Sequence, residues 1–230
     1  LYLLSASTTD IIKKILIGRN AMKDYFIVAL IGYVFGCLQF SYILGKLLRN
    51  VDIRNLGHGN AGASNTVISL GWKYGVLVAL LDISKAVASV MLIKVLYKDV
   101  ADPSLFNFYL YLNGLFVILG HNHPFFMNFR GGKGTASLIG MLMAVNIPLA
   151  VLGILTIIIV TLITDYIALG TIVLVLIVVA ATAYLKLGLG AITVSMIIAA
   201  LAIYNHLPNI KRIIRKEEKG LRQTIKKKQN

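Results

Sequence analysis

The sequence predicts an all-α, polytopic integral membrane protein of about seven transmembrane helices, with its N-terminus outside and its C-terminus cytoplasmic. Three observations lead there. The 230 residues are 58% hydrophobic, with a mean hydropathy of +0.81 and only 14% charged residues. Long apolar runs recur along the chain, and a helix needs about 20 such residues to cross a bilayer. The net charge of +14 is concentrated at the end, where nine Lys or Arg beyond His206 face only Glu217 and Glu218. A basic segment beside a membrane helix marks the cytoplasmic side and also suits anionic lipid headgroups. Nucleic acid is not an expected partner of so apolar a chain. The single cysteine, Cys37, excludes an intrachain disulfide and argues against a cysteine metal site.

Taken in order, residues 1–21 read as an N-terminal extension. They start on Leu, and Met22 stands before a clean apolar helix. No charged n-region or cleavage pattern accompanies them, so a misassigned start or a tag is expected rather than a signal peptide. An interfacial amphipathic helix is the alternative, since Ile11, Ile12, Ile15 and Leu16 recur at helical spacing. The membrane domain is expected over 22–206 and the basic tail over 207–230.

Spans are expected over 25–48, 67–97 and 105–119, then within 138–164, and over 166–184 and 191–204. Asn146-Ile147-Pro148 sits in the middle of 138–164, and Pro disfavours helix at the residue before it. Topology decides how to count that region. As one helix it would leave the basic tail outside, against the positive-inside rule. As two short helices it gives seven spans, a tail inside, and the polar segments 49–66, 120–137 and 164–171 at the cytoplasmic face.

The segment 120–137, GHNHPFFMNFRGGKGTAS, is the densest in chemistry. It holds two His, Arg130, Lys133 and four Gly. Consecutive Gly can gather backbone N–H groups into an anion-binding nest, and Lys133 adds a point charge. It is not an ATP-type P-loop, because Met127 stands where that motif needs its first Gly and Gly134 follows the Lys. A plain Gly-rich turn with a snorkelling Lys is the competing reading. Gly57-His58-Gly59-Asn60-Ala61-Gly62 matches a dinucleotide fingerprint by letters only, since a membrane helix and no strand precedes it. What survives is a second Gly- and Asn-rich loop before a helix, suited to an anion. Asn60 and Asn65 can fix hydroxyl or phosphate groups, or simply build turns. Arg54 suits phosphate. Asp82 and Lys85 lie at i, i+3 within a span and read as a structural ion pair. His121 and His123 point apart on a helix, so no shared metal is expected. Asp165 reads as a solvated loop-edge carboxylate.

These residues resemble the acyl-phosphate:glycerol-3-phosphate acyltransferase family, PlsY, over roughly 25–219. The family's GSGNxGATN is approximated by Gly57–Asn65. Its GHxxPxFxxFxGGKG is matched at Gly120, His121, Pro124, Phe126, Phe129, Gly131, Gly132, Lys133 and Gly134. Its tail pattern is matched at His206, Asn209, Ile210, Arg212 and Glu218, and its LDxxKG at Leu81, Asp82 and Lys85.

The resemblance implies seven helices, cytoplasmic motifs and acyl transfer from acyl phosphate to the 1-hydroxyl of glycerol 3-phosphate. The products are lysophosphatidic acid and phosphate, with no metal or organic cofactor, in a bacterial cell membrane. It implies catalytic roles for Lys133, His206 and Thr171. Substrate contacts fall to Arg54, His58, Gly59, Asn60, Asn65, His121, Gly131, Gly132, Gly134, Asn209 and Glu218. This chain has His58 and Thr171 where the family usually has Ser, Ile68 where it has Arg, and Lys216 where it has Gly. An altered acceptor or a non-catalytic member therefore stays open, as does an anion transporter should polar residues line several spans out to the far face.

Overall fold

Glycine, proline and one buried lysine decide where the helices break. The computed structural model describes the backbone of residues 8–226 and the side chains of residues 21–223. The described residues form helices α1 (Thr8–Gly36), α2 (Phe40–Arg49), α3 (Ala63–Leu70), α4 (Trp72–Leu96), α5 (Pro103–Asn122), α6 (Thr135–Val145), α7 (Ile147–Thr164), α8 (Ile167–Tyr184), α9 (Leu189–Ile214) and α10 (Leu221–Lys226). Six segments are long and apolar enough to cross a membrane, and α6 is a shorter apolar helix beside them. At 11 residues α6 is about 16 Å long, roughly half the apolar thickness of a bilayer. The chain is thus a multi-pass membrane protein.

Residues 1–7 lie outside the described residues, as do the side chains of Ile11, Ile12, Ile15 and Leu16. The backbone of α1 runs through position 21, where the extension was expected to end. Likewise α9 continues unbroken past His206 to Ile214, so the first turns of the basic tail belong to the last membrane helix.

Two expected spans are each split. Region 25–48 breaks at Cys37–Gln39, which separates α1 from α2. A broken helix inside a membrane strands carbonyls that must find donors. Here Lys85 Nζ donates to Gly36 O at 3.1 Å and to Leu38 O at 2.6 Å, and Gln39 Nε2 donates to Gly36 O at 3.3 Å. Region 67–97 breaks at Gly71, whose φ of 105° L side chains rarely adopt. Region 138–164 is two helices. Asn146 caps the second by accepting from the Leu149 N–H at 2.9 Å, and Pro148 sits in the first turn, where its missing donor costs nothing.

α5 is the axis of the bundle and packs against α1, α4, α6 and α9. Lipid offers little hydrophobic drive for helix association, so close approach of small residues matters. Gly32 and Gly36 of α1 supply it. A methyl group at Gly36 would come within 2.9 Å of the Gly120 Cα on α5. Buried polar side chains tie the helices and satisfy one another. Asn113 Nδ2 donates to Val28 O at 3.0 Å, Ser89 Oγ donates to Asn113 Oδ1 at 2.8 Å, and Tyr111 and Thr182 share a 2.8 Å bond. These closed pairs line no polar path through the bundle.

Candidate active site

A cavity of about 500 Å³ opens among α3, α4, α6, α7 and the start of the tail. Its wall is apolar, with Val76, Ala79, Ile83, Ile139, Ile154 and Ile157 facing in. Its other end is polar and is bordered by His58, Asn60, Lys133, His206, Asn209 and Glu218.

The two glycine loops meet at this polar end. The Ala61 N–H donates to Gly131 O at 3.0 Å. The N-termini of α3 and α6 both border the cavity, through Ala63, Ser64, Thr135 and Ala136. Two helix N-termini present unpaired backbone N–H groups and partial positive charge, the natural setting for an anion.

The expected Gly131–Gly132 nest takes a different form. The Gly131 N–H donates to Asn122 O at 2.9 Å, and the Gly132 N–H donates to His121 O at 3.0 Å. Those donors are spent on the end of α5, so the anion-facing amides belong to the first turn of α6. The two glycines serve close packing instead. A Cβ on Gly131 would meet Pro124 Cδ at 2.7 Å, and one on Gly132 would run into the His121 ring.

Lys133 leads a chain of polar contacts. Its ammonium donates to Asn209 Oδ1. Asn209 Nδ2 donates to Glu218 Oε1 at 2.5 Å, and Arg212 Nε donates to Glu218 Oε2 at 2.5 Å. Glu218 therefore sets the amide orientation of Asn209, and its carboxyl is held below the usual carboxylate range by bonds to Arg212 and Asn209 that outweigh its burial. Burial, aided by Arg212, pushes Lys133 down to about 8. At neutral pH it is charged but readily neutralised. His206 Nδ1 donates to Ala202 O at 2.8 Å. That bond leaves Nε2 with a lone pair on the cavity side.

Other expected site residues hold the loops. Arg54 makes an ion pair with Asp52 at 2.6 Å, and its Nη1 donates to Met127 O at 2.7 Å, so it clasps one loop to the other outside the cavity lining. Asn65 borders the cavity but spends its amide on Ile53 O, Leu56 O and Asn60 O, and accepts from the His58 N–H at 2.6 Å. Gly59, Gly131, Gly132 and Thr171 are not among the residues that line the cavity. Thr171 Oγ1 reaches Thr135 Oγ1 at 3.2 Å, which puts it one residue removed from the cavity. His58 borders the cavity, with burial holding its imidazole below the ordinary value. Ile68, at the position of the family's Arg, also lines the cavity. His123 turns away from His121 and bonds Phe129 O at 3.0 Å.

Asp165, expected from the sequence to be a solvated loop-edge carboxylate, instead holds the tail. It takes a left-handed φ of 71° at the end of α7, where its backbone carbonyl accepts from the Leu221 N–H at 2.9 Å and its Oδ1 from the Arg222 N–H at 2.8 Å. The tail is thereby strapped across the cavity mouth, with Lys219 and Leu221 in its lining. The αL-tolerant Asp following Thr164 was a signal that could have been read.

Comparison with known proteins identifies the family and the fold. A model of the glycerol-3-phosphate acyltransferase family matches residues 26–216. A glycerol-3-phosphate acyltransferase 1 from Oceanobacillus iheyensis is 46% identical over 205 residues, covering 89% of this chain and 98% of that protein. One from Thermoanaerobacter sp. is 37% identical, covering 86% and 96%. Two crystal structures of PlsY, an integral membrane glycerol 3-phosphate acyltransferase, superpose with this fold. The glycerol 3-phosphate form has a TM-score of 0.76 at 30% identity, covering 86% of this chain and 95% of that one. The lysophosphatidic acid form has a TM-score of 0.73 at 29% identity, covering 85% and 94%. With a family match across most of its length and relatives aligned nearly end to end, this chain belongs to the glycerol-3-phosphate acyltransferase family, PlsY.

Proposed function

We propose that this chain transfers a fatty acyl group from acyl phosphate to the 1-hydroxyl of glycerol 3-phosphate, at the cytoplasmic face of a bacterial cell membrane. The observation that carries the reading is one cavity with two characters. An apolar wall facing lipid suits an acyl chain. A polar end with Lys133, Asn209, His206 and two helix N-termini suits phosphate. Both substrates carry a phosphate, and one carries a long hydrocarbon.

The chemistry follows from that placement. The acceptor oxygen attacks the acyl carbonyl carbon, and the carbonyl oxygen gains negative charge. The carbon–oxygen bond to the leaving phosphate then breaks, releasing inorganic phosphate and lysophosphatidic acid. Lys133 and the first-turn amides of α6 stabilise the charge building on the carbonyl and on the phosphate. The hydroxyl proton has two acceptors at the polar end, a phosphate oxygen of the donor and His206 Nε2. Glu218 keeps Asn209 pointed at Lys133. Thr171 supports Thr135 in the first turn of α6.

Cytoplasmic placement is supported by charge. The glycine loops and the basic tail share the cavity end, and basic segments stay inside. The tail beyond Arg222 fits anionic lipid headgroups.

The test uses purified protein in lipid, supplied with long-chain acyl phosphate with and without glycerol 3-phosphate. Acceptor-dependent lysophosphatidic acid from the wild type, and none from folded Lys133→Ala, is the expected result. Near-normal turnover in that variant would overturn the assignment. Phosphate release without acylated product would point to a different acceptor, the outcome that Ile68 favours. Binding of either substrate without turnover would mark a non-catalytic member.

A further inference from the structure

Beneath the glycine loop lies a buried trio that the proposed reaction does not yet use. Asp82 and Lys85 on α4 and His121 on α5 are 1%, 4% and 3% exposed. Lys85 Nζ is 2.8 Å from Asp82 Oδ1 and 3.0 Å from His121 Nδ1. The same nitrogen reaches the carbonyls of Gly36 and Leu38. Three of these neighbours, Gly36 O, Leu38 O and His121 Nδ1, stand in hydrogen-bond geometry and match the three N–H groups of an ammonium, while the buried Asp82 carboxylate is its counter-ion.

This fixes the histidine. Nδ1 accepts from the ammonium, so it carries no proton. The rival assignment has Nδ1–H donating to Asp82 Oδ1, but that pair is 3.5 Å apart, at the limit of a hydrogen bond, against 3.0 Å for Lys85. The ring proton consequently sits on Nε2. That atom is packed against Gly132, and His121 borders the cavity. Among the described residues it has no hydrogen-bond partner. His206 is set the other way, with its proton on Nδ1.

We propose that Asp82 and Lys85 are positioning residues that hold His121 as the Nε2–H tautomer and aim that N–H into the cavity, at a substrate oxygen that gains charge there. His121 then joins Lys133 as a donor, facing His206 as an acceptor across one cavity. The identity of that oxygen, the acyl carbonyl or a phosphate oxygen, rests on the acyl-transfer reading above. The tautomer does not.

The test has two arms. In the first, nitrogen NMR is recorded on histidine-labelled protein in lipid, with the His121→Gln spectrum used for assignment. A protonated Nε2 and bare Nδ1 on His121 are expected. Protonated Nδ1, or a ring charged at both nitrogens, overturns the proposal. The double variant Asp82→Leu/Lys85→Met strands no buried charge but removes the Lys85 donor to Leu38 O, so turnover is compared per folded molecule, with helix content measured first. In it His121 should lose the single tautomer and turnover should fall. A retained Nε2–H signal with full turnover overturns the positioning role.

In the second arm, His121→Gln keeps an N–H near the place of Nε2, whereas His121→Asn places its amide nearer Nδ1. Per folded molecule, kcat should fall about 10²–10³-fold in the Asn variant, the usual cost of a lost oxyanion donor. It should fall by no more than about tenfold in the Gln variant, with KM little changed in either. Equal losses in both variants overturn it. If the wild type makes no lysophosphatidic acid at all, the acyl-transfer reading fails while the nitrogen signals still test the tautomer.

Discussion

His121 of α5 and His206 of α9 border the same cavity and are held by opposite partners. A backbone carbonyl takes the Nδ1 proton of His206, so Nε2 accepts. A buried ammonium faces the Nδ1 of His121, so Nε2 donates. The two sides also differ in construction. The His121 side is cut from α4 and α5 and is almost wholly buried. The His206 side is assembled from α9 and the tail, where His206 and Asn209 are buried and Glu218 and Arg212 keep partial contact with water. A rigid donor side and a more accessible gripping side suit a reaction in which substrates enter and leave at the tail while charge develops at the glycine loop.

The comparison can be broken in stages. The largest effect is expected at Lys133, which binds Asn209 and follows the Gly132 packed on the His121 ring. Lys133→Ala should lower kcat by at least about 10²–10³-fold, by analogy with losing one charge-stabilising donor, as read by lysophosphatidic acid formation. Next is Glu218→Ala, which frees the Asn209 amide to turn away from Lys133. A lost charge-assisted bond costs about 1.5–3 kcal/mol, so affinity for glycerol 3-phosphate should weaken about tenfold or more.

The pH profile follows. Lys133 is lowered to about 8, so it is charged below that pH and neutral above it. In the free enzyme kcat/KM should fall as pH rises through about 8. A bound phosphate favours the ammonium, so the kcat profile should break at higher pH. A flat profile to pH 10 would remove Lys133 from the phosphate site. The smallest effect is a gain. Ile68→Arg returns a cation to the cavity lining and should lower KM for glycerol 3-phosphate severalfold, by up to about tenfold, with kcat little changed.

Much of this was legible in the sequence because it was local. Apolar length gave the spans, and Asn146-Ile147-Pro148 gave the break between α6 and α7. The loops at Gly57–Asn65 and Gly131–Gly134 could be read as anion sites, and both border the cavity or support it. Some of what was hidden depends on partners far along the chain, and some on neighbours that claim a group first. Cys37–Gln39 carries no Pro, and the α1–α2 break is held by Lys85, 47 residues beyond Leu38. Asp82 and Lys85 read as a self-sufficient pair, because nothing local shows that His121 completes it. Gly131 and Gly132 looked like anion donors, but long-range packing onto α5 consumes their N–H groups. Arg54 looked like a phosphate ligand, but Asp52 two residues away had already claimed it.

The most direct measurement of the central claim is equilibrium binding of glycerol 3-phosphate to protein in lipid at pH 7, for the wild type and Asn209→Ala. The account predicts saturable binding by the wild type and at least about tenfold weaker binding by the variant, with helix content unchanged. Equal affinity in the two proteins would contradict a phosphate grip built by Lys133, Asn209 and the tail.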